Sequence, residues 1–423
     1  MFARRFVARR DGALLHRISA VLVIGLLLAV AACGGTRTGG GATEPTPRPT
    51  PTPTATPAPI PSASWRLVSS PSIPQYLDSE LHAVSALSSG AVWAVGDSYT
   101  DGLAEQSLIE RWDGSAWRAI PYPTGLSLAN VLAISPNDVW ASGFNITPRN
   151  EHGGGVLIVL HWNGTAWSTV PSPTPSVNNA FLLGMAGVSS NDVWMVGQTY
   201  PTPFVSLPLT ERWDGASWKI VANAEQPGVT ESLLNSVARI PGTNQLWAVG
   251  YALKGPRPAY EQPLIERWDG ASWQVVSVPT LPSGSFGGVL HDVVALSATD
   301  AWAVGNYTAS DHTIRALIAH WNGSSWQTVT SPDTWGNLSS VAAAGPHDVR
   351  AVGYVSSGDG NTRHTLIEQW DGATWQIVPS GEPSGAAYGV LNSVATDGTS
   401  AFWAVGSFHE SGGHLQPLIE RCP

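Results

Sequence analysis

The residues that could do chemistry recur along the chain. A glutamate–arginine pair stands at Glu110–Arg111, Glu211–Arg212, Glu266–Arg267 and Glu420–Arg421, and Glu368 takes the same place before Gln369. Glycosidic hydrolysis needs two carboxylates held at a set separation, and no spacing here sets one. Residues that recur at one position of a repeat follow the scaffold, so these glutamates and arginines are expected to be structural. An aromatic returns as well: Tyr99, Phe144, Tyr200, Tyr251, Tyr307, Tyr354 and Phe408 each follow a Val-Trp-Ala-Val-Gly-like stretch. Flat rings stack on sugars and on peptide side chains. These seven are the candidate ligand-binding residues; their other role would be to cap the edges of the repeats. His152, His312, His364, His409 and His414 lie in the same connections. Metal sites take ligands at close, regular spacing, which these lack, so no metal and no cofactor is expected. The chain has no nucleophile elbow, phosphate loop or HExxH, and no catalytic residue is assigned.

Positioning such residues is the work of a repeat. Val92–Gly96 reads VWAVG, and variants begin at Val139, Val193, Leu246, Ala301, Val349 and Phe402. Their glycines are 47 to 55 residues apart. A second signature, W-[DN]-G-x-x-W, begins at Trp112, Trp162, Trp213, Trp268, Trp321 and Trp370. Periods of this size with several short strands each match propeller blades. Each repeat predicts four strands: one like NSVARI at Asn235, then VWAVG, then LIERW, then one like SWQVVSVP at Ser272. Asp-Gly or Asn-Gly between the third and fourth accepts positive φ and suits a hairpin turn. Proline after the fourth strand cannot extend a ladder.

The last repeat stops at LIERCP, without its fourth strand, while Ser64–Pro71 reads as a fourth strand with nothing before it. The two ends complement each other. The expected fold is all-β: a seven-bladed β-propeller of four-stranded antiparallel blades, residues 65–423, in which the N-terminal strand completes the C-terminal blade. Closure hides the edges that an open stack leaves exposed. Nineteen of the 20 tryptophans occupy repeat positions and are expected to pack between blades.

Residues 1–32 read as a signal segment, with Arg4, Arg5, Arg9, Arg10 and Arg17 before an apolar run from Ile18 to Ala32. VAAC at Val30–Cys33 resembles a bacterial lipobox, which implies lipidation at Cys33 and anchoring on the outer side of the cytoplasmic membrane. Residues 33–64 alternate Pro with Thr or Ala and predict a semi-rigid extended stalk. Removal of the signal takes five arginines and one aspartate from 21 basic and 31 acidic residues, leaving a net charge of about −14. Such a surface repels phosphate backbones, so nucleic acid is not an expected partner. With Cys33 lipidated, Cys422 has no disulfide partner. The chain is expected to be a monomer.

VWAVG paired with D-G-x-x-W resembles bacterial propellers with BNR or Asp-box repeats and the Ycf48-like photosystem assembly group. Asp371-Gly372-Ala373-Thr374-Trp375 is one residue shorter than the Asp-box, and Gln369 and Trp370 replace its leading serine. Kelch propellers are a more distant resemblance, since their double glycine is absent. The resemblance implies the fold, and propellers host many functions.

Strand alternation puts the 2–3 and 4–1 connections, long and varied, on one face. Binding residues concentrate on such loops. The expected role is an exported, membrane-anchored binding module that takes a glycan or a protein on this face. The alternatives are a glycan-active enzyme of sialidase or glycosidase type, and a scaffold assembling a membrane complex. A sialidase would need three convergent arginines, but Arg111, Arg212, Arg267 and Arg421 sit at a repeat position. Arg350 replaces the repeat tryptophan in VRAVG, and Trp335, the off-pattern tryptophan, is expected to fill the space this leaves.

Overall fold

The computed structural model describes residues 64–71 and 78–423, apart from 89, 100–104, 123–124, 146–155, 174–179, 203–204, 255–259, 333–334, 358–361, 400 and 412. The signal segment, Cys33 and the stalk to residue 63 lie outside the described residues, which all belong to one compact unit, Pro61–Pro423.

This unit is all-β, with 28 strands among the described residues in four-stranded antiparallel sets. A short strand, β1 (Arg66–Leu67), comes first. The first quartet is β2 (Asp78–Ser88), β3 (Ala91–Tyr99), β4 (Glu105–Trp112) and β5 (Trp117–Ala119). The second is β6 (Leu126–Ser135), β7 (Asp138–Asn145), β8 (Val156–Trp162) and β9 (Trp167–Thr169). The third is β10 (Ala180–Ser189), β11 (Asp192–Thr202), β12 (Val205–Trp213) and β13 (Trp218–Val221). The fourth is β14 (Val229–Arg239), β15 (Leu246–Lys254), β16 (Gln262–Trp268) and β17 (Trp273–Val275). The fifth is β18 (Gly287–Ser297), β19 (Asp300–Thr308), β20 (Ile314–Trp321) and β21 (Trp326–Val329). The sixth is β22 (Gly336–Gly345), β23 (Asp348–Ser356), β24 (Arg363–Trp370) and β25 (Trp375–Ile377). The seventh joins β26 (Ala386–Thr396), β27 (Phe402–Glu410) and β28 (Gln416–Cys422) to β1, through Arg66↔Arg421 and Leu67↔Glu420.

Each quartet's first strand carries a bulge, as at Leu81/Ala83 and Leu234/Ser236. The bulge explains the glycine of VWAVG. A Cβ on Gly96, Gly143, Gly197, Gly250, Gly305, Gly353 or Gly406 would meet a first-strand carbonyl oxygen at 1.8–2.0 Å. Only glycine fits so close an approach. The D-G turns hold four residues. In the first, Asp113 Oδ1 accepts from the backbone N–H of Ser115 and Ala116, and Gly114 takes φ 96°.

The core lies between quartets. Each apolar cluster draws on two successive quartets, as where Trp93, Val95 and Ile109 meet Leu128, Val139 and Trp162. One cluster joins Trp403, Val405 and Ile419 of the seventh quartet to Val92, Trp112 and Trp117 of the first. The tryptophans form triads across these seams. Trp93 lies 5.3 Å from Trp162 and 5.5 Å, edge-on, from Trp167. Trp403 meets Trp112 at 4.9 Å and Trp117 at 5.3 Å in the same way. Such ring pairs add about 0.5–1.5 kcal/mol beyond their buried area.

The sixth seam, between the sixth and seventh quartets, corrects one expectation. Trp335 does not fill the space beside Arg350: it is 46% exposed. Its carbonyl bonds Ser356 N–H, six residues along β23 from Arg350, which is about 20 Å at the rise of a strand. Arg350 is itself the filler. It is 3% exposed, with its guanidinium 4.7 Å from the Phe402 ring and 6.0 Å from the Trp65 ring, and it bonds Cys422 Sγ at 3.4 Å and Asp348 at 2.9 Å. Cys422 stands where other quartets have tryptophan, and Phe402, its cross-strand partner, stands where they have Val, Leu or Ala. The three exchanges together keep the seam filled.

Candidate functional site

The recurrent glutamates and arginines serve the scaffold. Glu110, Glu211, Glu266, Glu368 and Glu420 are all fully buried. Each accepts a hydrogen bond from the segment following the fourth strand of the quartet before it. Ser70 Oγ donates to Glu110 at 2.6 Å, Ser172 to Glu211 at 2.8 Å, Gln226 to Glu266 at 2.9 Å, Ser331 to Glu368 at 2.7 Å and Ser380 to Glu420 at 2.6 Å. Burial lifts the carboxyls of Glu110 and Glu266 to about 7, against the pull of these bonds, and raises Glu420 in the same way. Arg111, Arg212, Arg267 and Arg421 lie over Trp93, Trp194, Trp247 and Trp403 at 5.0–5.3 Å. They line separate seams and do not converge on one anion.

The seven recurrent aromatics stand inside the second strands, near their ends, because these strands run past the VWAVG glycine. They do not share one surface. Side chains alternate along a strand, and Tyr307 and Phe408 lie five residues after their tryptophans, where Phe144 and Tyr251 lie four after theirs and Tyr200 lies six. Tyr307 therefore packs into the seam between the fourth and fifth quartets, while Trp302 packs into the next one. Phe408 and Trp403 part in the same way. Phe144 lies 4.9 Å from Phe181, whose ring meets Tyr200 edge-on at 6.1 Å. The Tyr251 hydroxyl donates to Glu231 at 3.3 Å, and burial, then the charges of Glu231 and Glu261, push it well above the ordinary tyrosine range. Arg363 covers Tyr354 at 4.4 Å. Of Tyr99 only the backbone, paired with Asp78 and Glu105, is described.

Other rings stack at the surface, with Phe286 half-buried between exposed Tyr260 and His312. Tyr260, Phe286 and His312 form one column on the long-loop face, with centroids 5.1 and 4.6 Å apart and interplanar angles of 28° and 15°. Tyr260 lies in the β15–β16 connection and is 43% exposed; Phe286 precedes β18; His312 is exposed in the β19–β20 turn. His312 takes φ 63°, the left-handed region, where a residue with a Cβ is strained and must be held by its surroundings. Asp311 braces the turn, accepting from Thr313 N–H at 3.1 Å and from Arg315 at 2.6 Å. Gln262 Nε2 donates to the Phe286 carbonyl at 3.2 Å. None of the three belongs to a repeat position. That was the available signal, since an aromatic in a varied loop answers to no scaffold requirement.

The loop histidines are engaged separately: His364 with Glu382 at 3.1 Å, His409 stacked on Tyr388 at 5.2 Å, and His414 with Asp78 at 3.7 Å. His152 lies outside the described residues. Among the described residues, the three side chains that could hold a metal are Glu80, His82 and Asp97, on β2 and β3.

No known protein-family profile matches the chain, and no curated protein matches it. Solved structures do. A YCF48 with a D1 peptide bound is 14% identical, with TM-score 0.50, over 85% of this chain and 97% of that one. YCF48 from Cyanidioschyzon merolae is 16% identical, with TM-score 0.52, over 85% and 99%. The β-propeller domain of the trilobed protease from Pyrococcus furiosus is 10% identical, with TM-score 0.47, over 81% and 95%. At these identities the likeness to the two YCF48 structures is one of fold, a β-propeller.

Proposed function

We propose that the chain is an exported lipoprotein whose propeller, held on a Pro/Thr stalk by a lipid on Cys33, is a binding module for a glycan. The propeller has seven blades, one per quartet, and is closed as a ring by the N-terminal strand. Three contacts support closure: β1 pairs with β28, the Trp403 triad reaches the first quartet, and Ser70 meets Glu110 as Ser172 meets Glu211.

The ligand lies on the long-loop face, and the column Tyr260–Phe286–His312 carries this reading. Its end rings have outer faces not used by Phe286, and exposed flat rings beside fixed polar groups suit the apolar faces of sugars. Gln262 and the Asp311–Arg315 pair supply those polar groups. Of the recurrent aromatics, Phe144, Tyr200, Tyr251, Tyr307, Tyr354 and Phe408 pack against neighbouring side chains in their own parts of the fold, so the column carries the reading in their place. The recurrent glutamates are occupied in the seams, which favours binding over hydrolysis.

A glycan array probed with the full-length protein tests the proposal. Saturable binding weakened about fivefold or more by Tyr260→Ala or His312→Ala is the expected result, since one aromatic stacking contact is worth about 1–3 kcal/mol. Absence of binding to every glycan sinks it. The second reading is a peptide ligand, as for a scaffold of a membrane complex; the likeness to a YCF48 with a D1 peptide bound favours it. Pull-down with the same two variants decides between them.

A further inference from the structure

The first quartet holds a polar cluster that the binding reading does not use. Glu80 and Asp97 are cross-strand partners at the long-loop ends of β2 and β3. His82 occupies the bulge of β2, two residues on from Glu80. Its Nε2 lies 3.2 Å from Asp97 Oδ1 and 3.9 Å from Glu80 Oε1, and the three groups bring one ligand atom each within 4.8 Å of one another. The side chains are only 14%, 13% and 3% exposed.

Asp97 is the telling member. Its Oδ2 accepts a 2.6 Å bond from Ser127 Oγ, which reaches over from β6 of the next quartet. Its Oδ1 is buried and accepts no hydrogen bond: the imidazole nitrogen, 3.2 Å away, is at ion-pair distance but not in hydrogen-bond geometry. A buried carboxylate oxygen left without a donor is costly. Two polar atoms that come this close without hydrogen-bonding each other have the spacing of two ligands of a common third atom. Ligand atoms about 2.0–2.2 Å from a tetrahedral or octahedral ion lie roughly 2.8–3.6 Å apart, so the 3.2 Å pair already fits, the 3.9 Å pair needs a small contraction, and the Glu80–Asp97 pair, within 4.8 Å, closes by about 1 Å at most.

We propose that Glu80, His82 and Asp97 form a binding site for a divalent transition metal of the zinc type. The donor set argues for that class: an imidazole suits zinc, cobalt or nickel better than calcium or magnesium, which prefer oxygen alone. Two carboxylates neutralise the ion's charge. Three protein ligands leave a position for water or a ligand oxygen. Ser127 is a positioning residue: by holding Oδ2 it presents Oδ1 to the ion, and such outer contacts alter metal affinity about 10- to 100-fold. The inference is independent of the glycan reading, since the site shares no residue with the aromatic column.

The test is cobalt and zinc titration of the chelator-treated full-length protein. Visible d–d absorption follows the cobalt, and melting temperature is measured with and without zinc. Uptake of about one ion per chain, a raised melting temperature, and loss of both in His82→Gln and Asp97→Asn are the expected results. Ser127→Ala should bind at least about tenfold more weakly while keeping the cobalt spectrum. If Asp97→Asn does not fold, His82→Gln decides alone. No uptake by the parent, or the same affinity and spectrum in His82→Gln, overturns the proposal and leaves the cluster a buried ion pair.

Discussion

Replacing Glu110 by glutamine should stabilise the protein at pH 8 and leave it nearly unchanged near pH 4. Burial holds the Glu110 carboxyl at about 7 in the fold, against 4.5 for the free group. As pH rises through 4.5 the unfolded chain gives up this proton while the folded one keeps it. The folded state then binds more protons, so stability falls with rising pH. The contribution is complete below about 4.5 and lost once the folded carboxylate ionises near 7. One pH unit is worth about 1.4 kcal/mol, so this window amounts to about 3 kcal/mol. At about 2.1 cal/mol/K per residue over the roughly 360 residues of the unit Pro61–Pro423, that is about 4 °C in melting temperature. Glutamine keeps an acceptor for Ser70 Oγ, 2.6 Å away in the parent, and places an N–H where the neutral acid carries its proton. Calorimetric melting of both proteins at pH 4, 5.5, 7 and 8.5 reads the effect. Profiles that run parallel, or a variant destabilised equally at pH 4 and pH 8, would refute the reasoning. Ser70→Ala removes the bond that draws the carboxyl down, so its cost should grow with pH.

The remaining predictions concern packing. Gly250→Ala puts a Cβ 2.0 Å from the Leu233 carbonyl oxygen and should cost about 3 kcal/mol or more in denaturant unfolding, whereas Gly345→Ala, with nothing within 4 Å, should change stability by less than about 0.5 kcal/mol. Cys422→Trp restores the repeat residue but meets Phe402 and Arg350 already in the space, so it should destabilise by about 1–3 kcal/mol. Arg350→Ala should cost about 3 kcal/mol or more, since it opens a cavity against Trp65 and Phe402 and leaves Asp348 without its bond. An Arg350→Ala variant as stable as the parent would show that the sixth seam relaxes freely.

What the amino-acid sequence determined by itself is what local interactions settle. Alternation along a strand, the glycine of Asp-Gly and the proline that stops a ladder act within a few residues. They fall every 47 to 55 positions, so the four-stranded set, its turns and the pairing role of Trp65–Leu67 were legible. The scaffold role of the LIER residues followed from recurrence alone. Tertiary structure decided whatever depends on contacts between quartets. Trp335 and Arg350 are 15 residues apart and looked like exchanged partners, yet Arg350 answers to Cys422 and Phe402, which lie in another quartet. One added residue before Tyr307 and Phe408 turned them to the opposite strand face, which equal recurrence had hidden. Tyr260, Phe286 and His312 come from three connections that only the packing of adjacent quartets stacks in one column. Glu80, His82 and Asp97 meet because a bulge and a cross-strand register bring them together, and Ser127 completes the group from a neighbouring quartet. Such convergence is set by where the backbone places groups distant in sequence, and no local pattern records it.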